Sequence, residues 1–138
     1  MARTIKVGDK ATKTRSFGAA EVQTYATLSG DDNPVHLDEA YAKTTPFGGC
    51  ICHGMLVASG FSALLGAELP GPGTIYLGQT FSFKRPVRVG EEVTISVEVT
   101  KIREDKPILT MKTVAVNSKG EVAIEGEATV KYDALVRG

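Results

Sequence analysis

One long uncharged segment limits what this chain can fold into. Residues 54–66 carry no charged side chain, and between residues 44 and 83 there is no Lys or Arg and only one acid, Glu68. The segment is far shorter than the ~20 residues that a bilayer crossing needs. It therefore predicts a helix that is buried on nearly every side and that ends near Gly66, before the Pro-Gly-Pro-Gly loop at 70–73.

The half of the chain after this loop predicts an antiparallel sheet. Residues 93–99 alternate between β-branched apolar and polar side chains, which is typical of a half-buried strand. A charged turn at 103–107 leads to a returning strand over 108–116, and a second turn at 117–120 leads to a third strand. One face of the third strand should carry Val122, Ile124, Gly126, Ala128 and Val130.

Two shorter helical segments precede the buried helix. Apolar residues at helical spacing predict a helix over 19–29, and a short helical turn is expected over 37–43. Since no repeat or linker divides the chain, we expect a single domain over residues 1–138. Its class is α+β, with one antiparallel sheet wrapped around a long central helix.

Charge and cysteine content argue against several function classes. The chain has 16 basic and 16 acidic side chains, and a net charge of zero argues against a dedicated nucleic-acid or membrane-surface binder. The basic residues near the amino terminus have no apolar run behind them, so they predict a solvated edge and not a secretory signal. Cys50 and Cys52 have a spacing that rarely suits a disulfide, so we expect a reducing, cytoplasmic compartment.

The segment 29–36 holds the first candidate for catalysis. Asp31 and His36 lie five positions apart, across a turn that Asn33 and Pro34 stiffen. Carboxylate and imidazole are the usual acid–base groups, and a water held between them could be activated or could relay a proton. From these residues alone, a second interpretation stays open, in which the aspartate only forms the turn and the histidine only satisfies a local hydrogen bond.

The second candidate is Gly54, at the start of the predicted buried helix. A helix start presents unpaired N–H groups and a partial positive charge, and a glycine lets a ligand oxygen approach the backbone without meeting a Cβ. The Gly54 N–H is therefore a candidate oxyanion donor, although the glycine could equally be a convenient helix start. We interpret the preceding His53 as structural and not catalytic.

Other chemistries find little support. Cys50, Cys52 and His53 have the wrong spacing for a common zinc site, so we expect no metal. The chain lacks the phosphate-binding glycine loop, the dinucleotide glycine motif and the G-x-S-x-G element of α/β-hydrolases. The three cations within residues 84–88 could meet phosphate groups of a long substrate, or they could be a solvated strand end.

Two motifs together resemble a known family. Ser-Gly-Asp-Asp-Asn-Pro-Val-His-Leu-Asp at 29–38, followed by His-Gly-Met at 53–55, is similar to the MaoC-like hydratases, specifically the short single-domain (R)-specific enoyl-CoA hydratases. The resemblance continues through Leu-Leu-Gly at 64–66 and Phe-Lys-Arg-Pro-Val at 83–87, and extends from about residue 7 to about residue 130.

This resemblance implies a fold, an assembly and a reaction. It implies a hot-dog fold and a homodimer in which the two sheets join near the active sites. The implied reaction adds water reversibly to a trans-2-enoyl-CoA, without a cofactor, because coenzyme A is part of the substrate. Asp31 and His36 would be the acid–base pair, with the Gly54 N–H as oxyanion donor. The residues implied in substrate binding are Ser62, Leu65 and Val130, and the bulk of the leucine suggests short acyl chains.

Three rival functions share the fold. A 3-hydroxyacyl-[acyl-carrier-protein] dehydratase would act on the same reacting group with a different carrier. Hot-dog thioesterases, and many of those dehydratases, place a carboxylate on the central helix, and residues 54–66 contain none. A non-catalytic acyl-CoA-binding protein would not need Asp31 and His36 to face the ligand.

Overall fold

The central helix and a six-stranded sheet form the core of the protein, whose computed structural model describes residues 3–138. The helices are α1 (Ala19–Ser29), α2 (Pro34–Leu37), α3 (Glu39–Ala42) and α4 (Gly54–Ala67). The strands are β1 (Arg3–Ile5), β2 (Lys10–Ser16), β3 (Ile75–Gln79), β4 (Ser82–Phe83), β5 (Glu92–Ile102), β6 (Ile108–Val116), β7 (Val122–Lys131) and β8 (Leu135–Arg137).

The main sheet is antiparallel and has the strand order β2-β5-β6-β7-β3, with β4 also paired to β7. The predicted strands over 93–99 and 108–116 are confirmed as parts of β5 and β6. Val93, Ile95, Val97 and Val99 are all buried, as their alternation with polar residues predicted. The sheet thus presents a mainly apolar face to α4, with Thr113 of β6 as a buried polar residue on it.

Helix α4 packs against that face, and this arrangement confirms the hot-dog fold. The helix begins at Gly54, as predicted, and ends one residue beyond Gly66. Phe61 and Leu65 are buried in the same cluster as the inward side chains of β5, β6 and β7. A Cβ at Gly60 would lie 2.3 Å from Cδ1 of Ile95, so this glycine allows the helix to approach the sheet closely.

The prediction that α4 is buried on nearly every side is wrong for the single chain. Met55, Ser59, Ser62, Ala63 and Gly66 are exposed and follow one another at helical spacing along one stripe. Most of these residues are small or apolar, so their composition gave no sign of an exposed face. A helix that faces a sheet on one side only leaves such a stripe uncovered within one chain.

Other differences arise at short or irregular elements. The helical turn expected over 37–43 is two separate turns, α2 and α3. In β7 both Ala123 and Ile124 are buried, because the register with β6 shifts between Ala115 and Val116. The basic amino-terminal segment contains β2, an edge strand whose side chains are almost all exposed, which agrees with the expected solvated edge, although the strand itself was not predicted. Strands β1, β3 and β8 were not predicted.

No helix within residues 3–138 has the length and hydropathy needed to cross a membrane.

Candidate active site

The loop after α1 fixes the backbone of Asp31. Gly30 caps the carboxyl end of α1, and its φ of 82° lies in the left-handed region that favours glycine. Ser29 Oγ then accepts a hydrogen bond from the Asp31 N–H at 3.1 Å, and Asp31 Oδ1 accepts one from the Asn33 N–H at 3.3 Å. The turn-forming interpretation of Asp31 is therefore correct in part, since one carboxylate oxygen stabilises the turn.

Helix α2 positions His36 on the other side of this turn. Asn33 caps the helix by accepting a hydrogen bond from the Val35 N–H at 3.1 Å, and Pro34 occupies the first helical position. His36 Nδ1 lies 2.7 Å from the carbonyl oxygen of Ile51. Because a carbonyl oxygen only accepts, Nδ1 carries the proton and the neutral ring keeps a free lone pair on Nε2.

The surroundings of His36 favour the neutral ring. Partial burial lowers the pKa of His36 below its ordinary value, and this is the largest effect on it. The hydrogen bond to Ile51 and the charge of Asp31 oppose the shift, whereas the neighbouring His53 adds to it. His36 is therefore mainly uncharged at neutral pH, which leaves Nε2 able to accept a proton.

Asp31, His36 and His53 form one compact cluster. One carboxylate oxygen of Asp31 and one ring nitrogen of each histidine all lie within 4.8 Å of one another. Two hydrogen bonds of about 2.8 Å through a shared water oxygen span about 4.5 Å. The cluster therefore has about the dimensions that one bridging water molecule needs, as the sequence interpretation expects.

Gly54 lies beside this cluster as the first residue of α4. Its N–H forms no hydrogen bond within residues 3–138, as the position at a helix start explains. A Cβ at this position would lie 2.6 Å from Cδ1 and Cε1 of Phe83, so the ring of Phe83 covers the glycine closely. The amide is thus a free donor in an apolar setting, where hydrogen bonds to a developing anion are strong.

The three predicted catalytic residues line a single cavity of about 410 Å³. Asp31, His36 and Gly54 meet there, although they come from a loop, a short helix and the start of α4. Most of the rest of the wall is apolar, which suits an acyl chain. The apolar wall residues that sequence reasoning missed include Phe47, Met55, Val57, Phe83 and Ile124.

Two of the three cations within residues 84–88 line the same cavity. Lys84 and Arg85 have half-exposed side chains, paired with Glu125 at 2.5 Å and with Glu121 at 3.5 Å. The partners neutralise these cations locally, yet the side chains stay accessible to a phosphate. The structure is therefore compatible with both interpretations of this segment.

The residues implied in substrate binding by the resemblance lie elsewhere in the single chain. Ser62 is exposed on the stripe of α4, two turns along from Gly54. Leu65 and Val130 are fully buried in the core between α4 and β7. None of the three lines the cavity at Asp31 and His36, so their roles remain predictions.

The cysteines do not join the histidine cluster. Cys52 Sγ lies 3.7 Å and 3.6 Å from the carbonyl oxygens of Phe17 and Arg88, and burial raises the pKa of its thiol to about 12. Both cysteines are free, as their spacing predicted. In the Asp31 cluster, each histidine keeps one ring nitrogen that does not face a carbonyl oxygen, so the expected absence of a metal stays a prediction.

Fold and cavity together define a class of protein: a hot-dog protein with a carboxylate, an imidazole and a helix-start amide around one apolar cavity. The family description MaoC like domain matches residues 2–123, and the chain belongs to this family.

Individual relatives are similar over nearly their whole length. The (R)-specific enoyl-CoA hydratase of Aeromonas caviae is 58% identical over 130 residues, which are 94% of this chain and 97% of that protein. The (R)-specific enoyl-CoA hydratase of Rhodospirillum rubrum is 45% identical over 130 residues, 94% of this chain and 90% of that one. The solved (R)-hydratase from A. caviae involved in PHA biosynthesis superposes with a TM-score of 0.91 and covers 92% of this chain and 96% of that chain, at 58% identity.

Proposed function

We propose that the protein is an (R)-specific enoyl-CoA hydratase, a hydro-lyase that adds water reversibly to trans-2-enoyl-CoA to give (R)-3-hydroxyacyl-CoA. The observation that carries the proposal is the meeting of Asp31, His36 and the free Gly54 N–H in one cavity. Two relatives that align with almost the whole chain bear this name. The reaction needs no cofactor beyond the coenzyme A of the substrate. We further propose a cytoplasmic location, which suits the two free cysteines.

The mechanism follows from the charges that the reaction creates. In a trans-2-enoyl thioester the carbonyl group withdraws electron density from the β-carbon, so the oxygen of a water molecule can bond there. The electron pair of the double bond moves toward the carbonyl, and negative charge develops on the thioester oxygen. The Gly54 N–H can stabilise this charge by donating a hydrogen bond to the oxygen.

We infer different roles for Asp31 and His36, which the sequence left open, from the hydrogen bond between His36 Nδ1 and Ile51. His36 Nε2 has the free lone pair, so we assign it as the group that takes a proton from water. The imidazolium formed then returns a proton to the α-carbon on the same face, which balances the addition. Asp31 accepts the second hydrogen bond of the water, and its charge stabilises the imidazolium.

Hydration of crotonyl-CoA tests the proposal directly. We expect the absorbance of the conjugated thioester to decrease with enzyme, and chiral analysis of the product to give the (R)-3-hydroxy acid. Release of free coenzyme A without loss of the double bond would show a thioesterase instead. Tight binding of the thioester with no turnover would show the non-catalytic binding protein.

Crotonyl thioesters of coenzyme A and of the acyl-carrier protein test which carrier the protein uses. Lys84 and Arg85 at the cavity supply accessible cations for the phosphates of coenzyme A. We expect a kcat/KM for crotonyl-CoA well above that for the crotonyl-acyl-carrier protein. The reverse order would favour the alternative, a 3-hydroxyacyl-[acyl-carrier-protein] dehydratase.

We predict a preference for short acyl chains. Leu65 does not line the cavity of the single chain, but the family resemblance implies that it meets the acyl tail, where a bulky side chain would shorten the space available. In a series of trans-2-enoyl-CoA substrates with 4 to 12 carbons, kcat/KM should fall as the chain lengthens. A Leu65→Ala variant should raise the relative activity on longer chains, and a wild-type maximum at 12 carbons would contradict the prediction.

We also propose that the protein is a homodimer. Strand β3 lies at an edge of the main sheet, and its Ile75, Tyr76 and Leu77 are 38–55% exposed. Near the cavity, Met55 and Phe83 are also more than half exposed. An unpaired strand edge with apolar side chains favours pairing with another chain, and a second copy would extend the sheet across it.

A charge on β3 tests this assembly. Leu77 is 52% exposed, and we expect Leu77→Arg to convert the dimer into a monomer, because a buried unpaired charge at an interface costs several kcal/mol. Leu28→Arg is the matched control, since Leu28 is 84% exposed on α1 and should leave the dimer intact. Light scattering after gel filtration measures both masses. A wild-type protein that is monomeric at micromolar concentrations would contradict the proposal.

The hydration activity should fall at acidic pH because His36 becomes protonated there, which gives the pH profile an acidic limb. The proposed base must be neutral, and burial lowers its pKa, so activity should fall only when the pH drops below the ordinary pKa of about 6.5 for histidine. The profile of kcat/KM against pH measures this limb. A limb above pH 7 would contradict a neutral, partly buried imidazole as the base.

A further inference from the structure

His53 connects the parts of the cavity that carry the proposed chemistry. It is only 2% exposed, and its Nε2 lies 2.9 Å from the backbone carbonyl oxygen of Asp31. Because the carbonyl oxygen only accepts, Nε2 carries the proton and donates it. A buried histidine side chain therefore holds the loop that presents the catalytic carboxylate.

The ring of His53 also supports the ring of His36. The two imidazoles stack with centroids 3.9 Å apart and planes inclined by 29°, and Tyr25 packs on His53 from another side at 4.7 Å. His53 Nδ1 is buried and has no hydrogen-bond partner within residues 3–138. An unpartnered buried nitrogen lowers stability by about 1–3 kcal/mol, so packing alone does not favour a histidine here.

His53 directly precedes Gly54 and caps α4. One residue thus contacts the carboxylate loop through Nε2, the imidazole through its ring face and the helix start through its backbone. We propose that His53 is a positioning residue that sets the mutual placement of Asp31, His36 and the Gly54 N–H. This positioning role deepens the proposed hydratase function. Only its expected effects on kcat and on the pH profile of activity rest on that function.

Three titratable side chains lie around His53. Asp31 lies on the loop side and His36 on the ring face, while Tyr25 of α1 packs from the third direction. His53 contributes to the lowered pKa of His36 by adding to the effect of burial. Removing the His53 ring should therefore raise the pKa of His36, because both the burial of His36 and the lowering effect of the neighbouring His53 become smaller.

Two variants separate the hydrogen bond from the stacking. His53→Gln keeps an N–H donor near the position of Nε2 but loses the ring, whereas His53→Phe keeps a flat ring but loses the donor. We expect each to lower kcat by about 100-fold with little change in KM, as a misplacement of about 1 Å at a reacting centre does. In His53→Gln the acidic limb of the pH profile should move to higher pH, and in His53→Phe it should move less.

Thr113→Val is the matched control. Thr113 is the other fully buried polar residue within the described chain, it accepts a hydrogen bond from Gln79 Nε2 at 2.9 Å, and it does not line the cavity. This variant should lose stability while kcat and the acidic limb stay unchanged. We compare the two variants under conditions in which the same fraction of each protein is folded. If His53→Gln and Thr113→Val then have the same kcat and the same acidic limb of the pH profile, the positioning role is refuted.

A measurement that needs no substrate tests the positioning role independently of the proposed hydratase function. Histidine NMR reports the Nδ1–H tautomer and the titration of His36 in each variant. A change in the His36 titration in His53→Gln supports the positioning role even if the wild-type protein fails to hydrate crotonyl-CoA, a failure that would overturn the hydratase proposal alone. An unchanged titration and tautomer in both His53 variants would overturn the positioning role.

Discussion

Replacing His36 with glutamine is expected to lower kcat/KM for crotonyl-CoA hydration by about 10²–10⁴-fold, the usual contribution of a general acid–base group. This equals about 3–5 kcal/mol of transition-state stabilisation. The neutral ring offers a free Nε2 lone pair because Nδ1–H is bonded to Ile51 at 2.7 Å. A glutamine amide nitrogen at the same position has no lone pair that can take a proton, so the water loses its base.

A second variant, His36→Asn, distinguishes the loss of the catalytic base from a loss of protein stability. Its amide nitrogen can lie near the former Nδ1 and keep the hydrogen bond to Ile51, whereas glutamine leaves that carbonyl oxygen unpaired. We therefore expect both variants to be inactive, with His36→Asn unfolding at a temperature closer to that of wild type. Turnover within tenfold of wild type in either folded variant would exclude His36 as the base.

The parts of the site that are close in sequence could be predicted. Asp31 and His36 belong to one turn, and the capping by Asn33 and Pro34 that brings them together is encoded in adjacent residues. Gly54 was predicted because the charge-free segment shows where a helix must start. In each case the physical cause lies within a few residues, so the local sequence is sufficient.

The cavity wall could not be predicted in the same way. Phe83 reaches Gly54 from β4, and Ile124 comes from β7, so both depend on how the sheet folds back onto α4. Lone apolar residues in strands are typical of any core, and their spacing gives no sign of a ligand. From the sequence, His53 could be interpreted only as structural and not catalytic, since its contacts with Asp31 and His36 join residues more than a dozen positions apart.

Whether a strand could be predicted depended on how clearly apolar and polar residues alternate along it. Strand β5 alternates four buried β-branched residues with polar ones, whereas β2 is an edge strand whose side chains are almost all exposed. Without a buried face, β2 has no apolar alternation to detect. Strands β1 and β8 have three residues each and pair in parallel across the length of the chain, so only the tertiary structure defines them.

Replacing Asp31 with asparagine is expected to lower kcat/KM by about 10²–10⁴-fold as well, for a different physical reason. Asparagine keeps the size of the side chain and an oxygen that can accept the 3.3 Å hydrogen bond from the Asn33 N–H, so the turn should persist. It removes the negative charge that stabilises the imidazolium of His36 during proton transfer. The decrease in activity of Asp31→Asn should therefore appear in kcat, and the variant should be as stable as the wild-type protein.

The pH profile of this variant gives an independent check with a defined sign. The charge of Asp31 raises the pKa of His36, so its removal should lower that pKa and move the acidic limb of the residual activity to lower pH. This direction is opposite to that expected for His53→Gln. Asp32→Asn is the matched control, because Asp32 is the neighbouring residue and is exposed like Asp31 but does not line the cavity. If Asp32→Asn reduced turnover as much as Asp31→Asn, the general charge of the turn would be responsible, and Asp31 would not hold the reacting water.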